Sequence, residues 1–281
     1  MKLPVELPEI LPDMTSPGNR AAETEAANII GPQDIARRFS KAADVYDSHA
    51  RIQSCIANTG LNNLPQKLSG ALLDIGCATG VHSNTLQQRG ACVTGLDIAA
   101  GMLRAASQRF SGITFVQGSA ESLPLKSNSI DTVFSSMALQ WCSNPLLVAS
   151  EIQRVLKPSG IGEIGIMVAG SFGELHRARK LAQLPPAITP MPDAQSWLNA
   201  FLVAGLRVSR VINKGYVDEF NDVLSLLRSI KNVGAGATGA KQPPLLRSDI
   251  NKLAMAYKNV SGVDGVLPLT YKVCHFRIEK V

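Results

Sequence analysis

The sequence predicts an α/β fold: a seven-stranded, mostly parallel sheet with helices on both faces, plus a helical lid. Three observations predict it. Short apolar runs alternate with helix-length amphipathic segments from residue 71 to residue 168. The first such run ends in a Gly-rich turn, "LLDIGCATG", that opens a helix. The second run ends in an acid, Asp97, 23 residues after Asp74.

Residues 1–33 hold five prolines and little periodicity, and are expected to be a disordered leader. Residues 34–59 are predicted to form one amphipathic helix, because Ile35, Phe39, Ala43 and Tyr46 recur at helical spacing. "ALLDIG" is a strand ending at Gly76, and "VHSNTLQQR" a helix stopped by Gly90. "CVTGLDI" and "AGMLRAASQRF" are the next strand and helix. "ITFVQG" and "IDTVFSSM" are two further strands. "PLLVASEIQRVLKPSG" is a helix with a Pro-x-Gly stop, and "IGEIGIMV" the fifth strand. Beyond residue 170, helices are expected near 171–183, 193–203, 219–232 and 247–258, and strands near 206–213 and 269–278. The Gly-rich link "NVGAGATGAKQPP" is expected to be a mobile loop. Residues 34–281 thus form one domain. Its core is 71–168, and residues 34–60, 171–205 and 219–260 supply the lid and an acceptor side.

Composition narrows the function class. The longest apolar stretch, "IGEIGIMVAG", contains Glu163 and is too short to span a bilayer. The N-terminus lacks a signal-peptide pattern, and five acids in the first 33 residues argue against a transit peptide. A cytoplasmic protein with no membrane partner is expected, a monomer by default. The five cysteines show no C-x-x-C spacing, which argues against a zinc site or a disulfide framework. Most are expected to be small buried apolar groups. The net charge is +6, and residues 171–281 carry fifteen basic and eight acidic groups. That excess suits either a mixed solvated surface or a docking face for an acidic partner. No basic run with interleaved aromatics supports nucleic-acid binding.

Asp74, Gly76, Ala78 and Gly80 stand at D-x-G-x-A-x-G spacing. Small residues let the backbone turn and approach a ligand closely. A nicotinamide site prefers G-x-G-x-x-G with helix amides around a pyrophosphate. Here the glycines are one residue closer and an acid precedes them. That acid repels a pyrophosphate but suits a cationic ligand such as a sulfonium with an amino group. Asp97 stands where a ribose-binding carboxylate belongs. Ala78 is expected to keep φ below zero.

Together with "GLDIAAGML", "GSAESLPL", "IDTVFSSMALQW" and "VLKPSG", this region resembles the S-adenosylmethionine-dependent methyltransferases of Rossmann-like fold. The resemblance implies S-adenosylmethionine as co-substrate and no metal. It places Gly76, Cys77 and Ala78 against the methionine part, Asp97 on the ribose, and Ile98 and Met102 beside the adenine. Ser119, Ala120 and Glu121 line the adenine edge, and Ser136 closes the pocket. Ser119 stands where the family often has Asp, and a hydroxyl accepts a hydrogen bond more weakly than a carboxylate.

The flanks extend the resemblance. "ARRFSKAADVYDSHA", "LQWCSNP", "GSFGELHRA", "LLRSIKNVGA" and "LPLTYKV" are similar, in the same order, to the malonyl-acyl-carrier-protein O-methyltransferases of biotin synthesis. That likeness implies methylation of the free carboxylate of a malonyl thioester, on acyl carrier protein or coenzyme A. A carboxylate is already ionised near pH 7 and needs no base. The core offers only His82, a helix-surface residue or a pocket neighbour. An anionic acceptor suits Arg228 and Lys231, at i, i+3, with His176 and a Tyr46 hydroxyl. Trp141 and Phe172 are candidate pocket walls. Phe172 and His176, one turn apart, are expected to face the acceptor while Arg177 and Arg179 reach outward. Each of these has a plainer role open to it, in a surface ion pair or in the core. Arg37, Arg38, Arg177, Arg179 and Lys180 are candidate carrier contacts. Two other readings stay open: a related enzyme for another small acceptor such as a quinone precursor, and a non-methylating assembly factor with the same core.

Overall fold

The chain is seen in a computed structural model that describes residues 31–186, 191–233, 244–261 and 265–281. The leader apart from its last residues, and most of the Gly-rich link, lie outside the described residues. The elements in chain order are helices α1 (Pro32–Ala42), α2 (Tyr46–His49) and α3 (Arg51–Asn63), then β1 (Ala71–Ile75), α4 (Val81–Gln88) and β2 (Cys92–Asp97). There follow α5 (Ala100–Arg109), β3 (Thr114–Gln117), β4 (Ile130–Ser136), α6 (Pro145–Val155), β5 (Leu156–Met167), α7 (Gly173–Leu181) and α8 (Ala194–Val203). The chain closes with β6 (Leu206–Phe220), α9 (Val223–Asn232), α10 (Arg247–Ser261) and β7 (Leu267–Lys280).

The seven strands form one sheet in the order β3-β2-β1-β4-β5-β7-β6. The first five run parallel, and β7 lies antiparallel between β5 and β6. Strand alternation splits the core. Leu73, Ile75 and Val133 join Val148, Ile152, Trp197 and Phe201 of α6 and α8 on one face. Leu72 and Phe134 meet Ala57, Leu61 and Leu86 of α3 and α4 on the other. Phe201 and Trp197 are fully buried, each contributing about 2–3 kcal/mol of apolar transfer. Helices α6, α8 and α9 start where side chains cap them. Asn144 accepts from the Leu146 and Leu147 amides ahead of α6, Asp193 from Ser196 ahead of α8, and Asp222 from Ser225 ahead of α9.

The observed elements differ from expectation in three places. The single helix over 34–59 is three pieces: the Val45 amide bonds back to the Ala42 carbonyl, and Ala50 leaves the helical region. The helix over 145–160 stops at Val155. Leu156 is already extended and pairs with Ile130, and Lys157, which directly precedes Pro158, is biased away from the helix. β6 runs seven residues beyond its expected end, because β7 pairs with it along its whole length. Glu163, the acid inside the apolar fifth strand, is fully buried. It accepts from Asn63 at 2.7 Å and Arg210 at 2.8 Å. Of the cysteines, only Cys77 and Cys274 are buried; Cys142 is half-buried and Cys55 and Cys92 are exposed, which corrects the expectation that most are buried.

Candidate active site

The turn after β1 is shaped by close approach. Gly76 has φ 75°, and a Cβ there would lie 2.1 Å from the Ala138 Cβ. The turn then wraps onto Asp97. One Asp97 oxygen accepts from the Ala78 amide at 2.9 Å, the other from the Ala99 amide at 2.8 Å. Reaching that carboxylate puts Ala78 at φ 47°, so the expected negative φ is wrong. The left-handed conformation costs alanine about 1–2 kcal/mol, which the amide-to-carboxylate bond offsets. Gly80 is the left-handed residue before α4, packed against Phe115 and Phe110, and it does not line the site.

Two adjoining clefts open at the carboxyl ends of the parallel strands, about 770 and 870 Å³. Tyr46, Gly76, Ala78 and Ser136 belong to both. The first cleft holds Asp97, Ile98, Ser119, Ala120 and Glu121 on one side and Trp141 and Cys142 on another. Pro32, Ile35 and Phe39 of α1 roof it. Phe39 meets Trp141 edge to face, centroids 5.9 Å apart. The second holds Asp74, Cys77, Thr79, His82, Gln53 and Phe134. The lid is tied down by Asp47 of α2, which accepts from Thr79 Oγ1 at 2.6 Å and pairs with Arg109 of α5. Ser40 of α1 accepts from the Gly101 amide at 3.1 Å.

Burial sets the ionisation. Asp74 lies under the turn, accepts from Ser83 Oγ at 2.6 Å, and is pushed by burial up to about 7. Burial also raises Asp97, opposed by its backbone amide donors. The Tyr46 phenol is held well above its ordinary value by burial, then by Asp97 and Asp47. His82 is lowered by burial, so it stays neutral near pH 7.

Most of the expected cofactor residues converge here, and several of the acceptor residues do not. Met102 is fully buried beneath the lid with Ala42, Ala43 and Ala99, and does not line the cleft. Phe172 is also fully buried, at φ 58°, its ring 4.7 Å from Tyr271 in the core under α7 and α10. It is a core residue, because the left-handed turn before α7 folds it inward. His176 on that helix is exposed, as is Arg177. Arg179 is buried and donates to the Pro185 carbonyl, so it does not reach outward. Arg228 and Lys231 are exposed on α9 and line neither cleft. The sequence reading missed Asp47, Thr79 and Gln53. "VYDSHA" carried the helical signal, but only the break at Ala43–Val45 turns Asp47 onto the glycine turn. Among the described residues no group of three His, Cys, Asp or Glu side chains is arranged to hold a metal ion, and no helix is long and apolar enough to cross a membrane.

The arrangement fits a nucleoside joined to a cationic amino-acid tail. Asp97 would hold the ribose, Ile98 and Ser119 to Glu121 would border the base, and Asp74 and the Gly76–Ala78 backbone would hold the tail. The family model described as a methyltransferase domain matches residues 73–163. The chain belongs to the methyltransferase family, and it is an S-adenosylmethionine-dependent methyltransferase of Rossmann-like fold. It is 32% identical over 262 residues to a malonyl-[acyl-carrier protein] O-methyltransferase of Herminiimonas arsenicoxydans, covering 89% of this chain and 97% of that one. A protein of the same name from Serratia marcescens is 32% identical over 261 residues, covering 90% and 97%. Among solved structures, the YcgJ protein of Bacillus subtilis shares the fold with TM-score 0.58 at 16% identity, covering 81% of this chain and 98% of that one.

Proposed function

We propose that the protein methylates the free carboxylate of a malonyl thioester carried on acyl carrier protein, an early step of biotin synthesis. One observation carries this reading. The likeness to relatives of that name spans nearly the whole of both chains, well outside the cofactor-binding segment. S-adenosylmethionine supplies the methyl group: the sulfur–carbon bond breaks as a carboxylate oxygen takes the carbon, leaving a neutral thioether and a neutral ester. No proton moves, so the residues at the clefts need only bind, align and exclude water. Tyr46 lies at the junction of the clefts and is protonated throughout the neutral range, and would donate to the acceptor.

The exposed bases Arg177 and Lys180 of α7 and Arg228 and Lys231 of α9 suit the acidic carrier. The acids of these helices are already used. Glu174 accepts from Thr270, and Asp222 caps α9. With Arg37, which pairs with Asp34, these side chains are our proposed contacts. The test is methyl transfer by the purified protein to malonyl-, acetyl- and unloaded carrier protein and to malonyl-coenzyme A, with the ester identified by mass. Methylation of malonyl-carrier protein alone or above malonyl-coenzyme A supports the reading. Equal use of the acetyl thioester, or no malonyl ester, overturns it.

A further inference from the structure

Three neighbouring strands place Ser136, Gly165 and His275 in one row. Gly165 is paired with Ser136 on β4 and with His275 on β7. Residues opposite one another in adjacent strands share a face of the sheet, so the two outer side chains stand on the same side. The central residue carries no side chain to part them. A Cβ on Gly165 would lie 3.3 Å from His275 Nδ1 and 3.7 Å from Ser136 Oγ. Both atoms are buried, and neither has a hydrogen-bond partner among the described residues. Two orphaned polar atoms meeting over a glycine inside a packed sheet call for a shared explanation, since each unmade bond there costs about 1–3 kcal/mol. Ser136 lines both clefts. On its far side the imidazole is anchored: His275 Nε2 and Tyr216 Oη are 2.8 Å apart.

We propose that Tyr216, His275 and Ser136 form a chain of donors across Gly165 that aims the Ser136 hydroxyl at the acceptor's carboxylate, with His275 as a positioning residue. The inference rests on the carboxylate reading above. Tyr216 O–H donates to Nε2, which places the imidazole proton on Nδ1. Nδ1–H donates to Ser136 Oγ through one bridging water. That leaves the serine proton free to donate into the cleft. Every link then points the same way, toward a negative charge, and each polarises the next. Burial, with Lys214 and Arg210 nearby, lowers His275 to about 4, so the ring is neutral in the working range and its tautomer is what matters.

The test combines nitrogen-15 NMR of the imidazole with kinetics on the full chain. In the wild type, Nδ1 should be the protonated nitrogen, and Ser136→Ala should shift its resonance. Ser136→Ala, Gly165→Ala and His275→Phe should each lower kcat with malonyl-carrier protein at least tenfold, while in Gly165→Ala and His275→Phe the Kd for S-adenosylmethionine changes less than threefold. His275→Asn, which keeps a donor near the Nδ1 position, should recover most of the loss seen with His275→Phe. Cofactor affinity falling in step with kcat would reduce Ser136 to a cofactor wall and overturn the proposal, as would full activity in Gly165→Ala. If the wild type makes no malonyl ester, the functional reading fails. The chain is then judged by NMR alone: a proton on Nε2, or a His275 spectrum unchanged by Ser136→Ala, overturns it.

Discussion

Asp47→Ala should loosen the lid and speed cofactor escape. Asp47 is the one side chain of α2 that grips both the glycine turn, through Thr79 at 2.6 Å, and α5, through Arg109. A hydrogen bond to a charged group is worth about 1.5–3 kcal/mol, with the low end apt for a half-exposed carboxylate. The ion pair adds little, about 0.5 kcal/mol, because its side chains are 48% and 38% exposed. Together they hold the lid by about 2 kcal/mol, a factor of about 30 at room temperature. The Phe39–Trp141 contact and the Ser40–Gly101 bond remain, so the lid still closes part of the time. The expected result is a rise of about ten- to thirtyfold in the dissociation rate of S-adenosylmethionine, read by stopped-flow displacement, with a small change in the association rate. Asp47→Asn should fall between, because its amide oxygen still accepts from Thr79. An unchanged dissociation rate in Asp47→Ala would refute the latch.

Three other outcomes follow from the site. Gly76→Ala should raise the cofactor Kd by at least about thirtyfold, from a methyl driven against Ala138 and about 1–2 kcal/mol of left-handed strain; adding Ala138→Gly should recover part of that, and a double variant as weak as the single one would show that the Ala138 contact is not the cause. Asp74, with its pKa raised from 3.8 to about 7, holds a proton over much of pH 4–7 that a cationic amino group would expel. Cofactor affinity should therefore rise with pH up to about 7 and level off, with proton release at pH 6 measurable by calorimetry in buffers of different ionisation heat; Asp74→Asn should abolish that release. Arg228→Ala with Lys231→Ala should raise KM for malonyl-carrier protein several-fold at low salt and less at high salt, leaving cofactor affinity alone; a fall in cofactor affinity would make these residues structural.

The part of the candidate site built on the glycine turn and Asp97 was legible because its signals are local. A glycine that must avoid Ala138 and an acid that ends a strand are written at fixed spacing. Ala78 shows the limit of that reading. Its sign of φ is set by an amide drawn to Asp97, 19 residues away, which no local rule sees. The acceptor half depends on which face of each outer helix turns inward. Phe172 and His176 have the same one-turn spacing whether they face a pocket or a core, and the left-handed turn at Phe172 decided it. His275 and Tyr216 lie 59 residues apart, on strands whose pairing alone brings them together. Met102 kept its helical face but lost its cleft, because α1 packs onto α5 over it.

The charge inventory of the clefts bears on how the proposed carboxylate acceptor would be drawn in. Among the described residues lining them, the one lysine or arginine is Arg109, and Asp47 neutralises it. His82 is held neutral. Asp47, Asp74, Asp97 and Glu121 are acids. A fixed guanidinium beside the reacting oxygen would stabilise the carboxylate before reaction and lose that attraction as the oxygen's charge is spent on the new bond. Neutral donors such as Tyr46 give up less on the way to the transition state. For the carboxylate acceptor proposed above, the sulfonium itself would supply an attraction of about 4 kcal/mol for unit charges 4 Å apart at an effective dielectric of 20. Binding should therefore be ordered. A non-transferring malonyl analogue should bind at least tenfold more tightly to the enzyme loaded with an S-adenosylmethionine analogue bearing a protonated amine in place of the sulfonium than to the enzyme loaded with the neutral demethylated product. Equal affinity by calorimetry would mean that a cation of the protein, not the cofactor, recruits the acceptor.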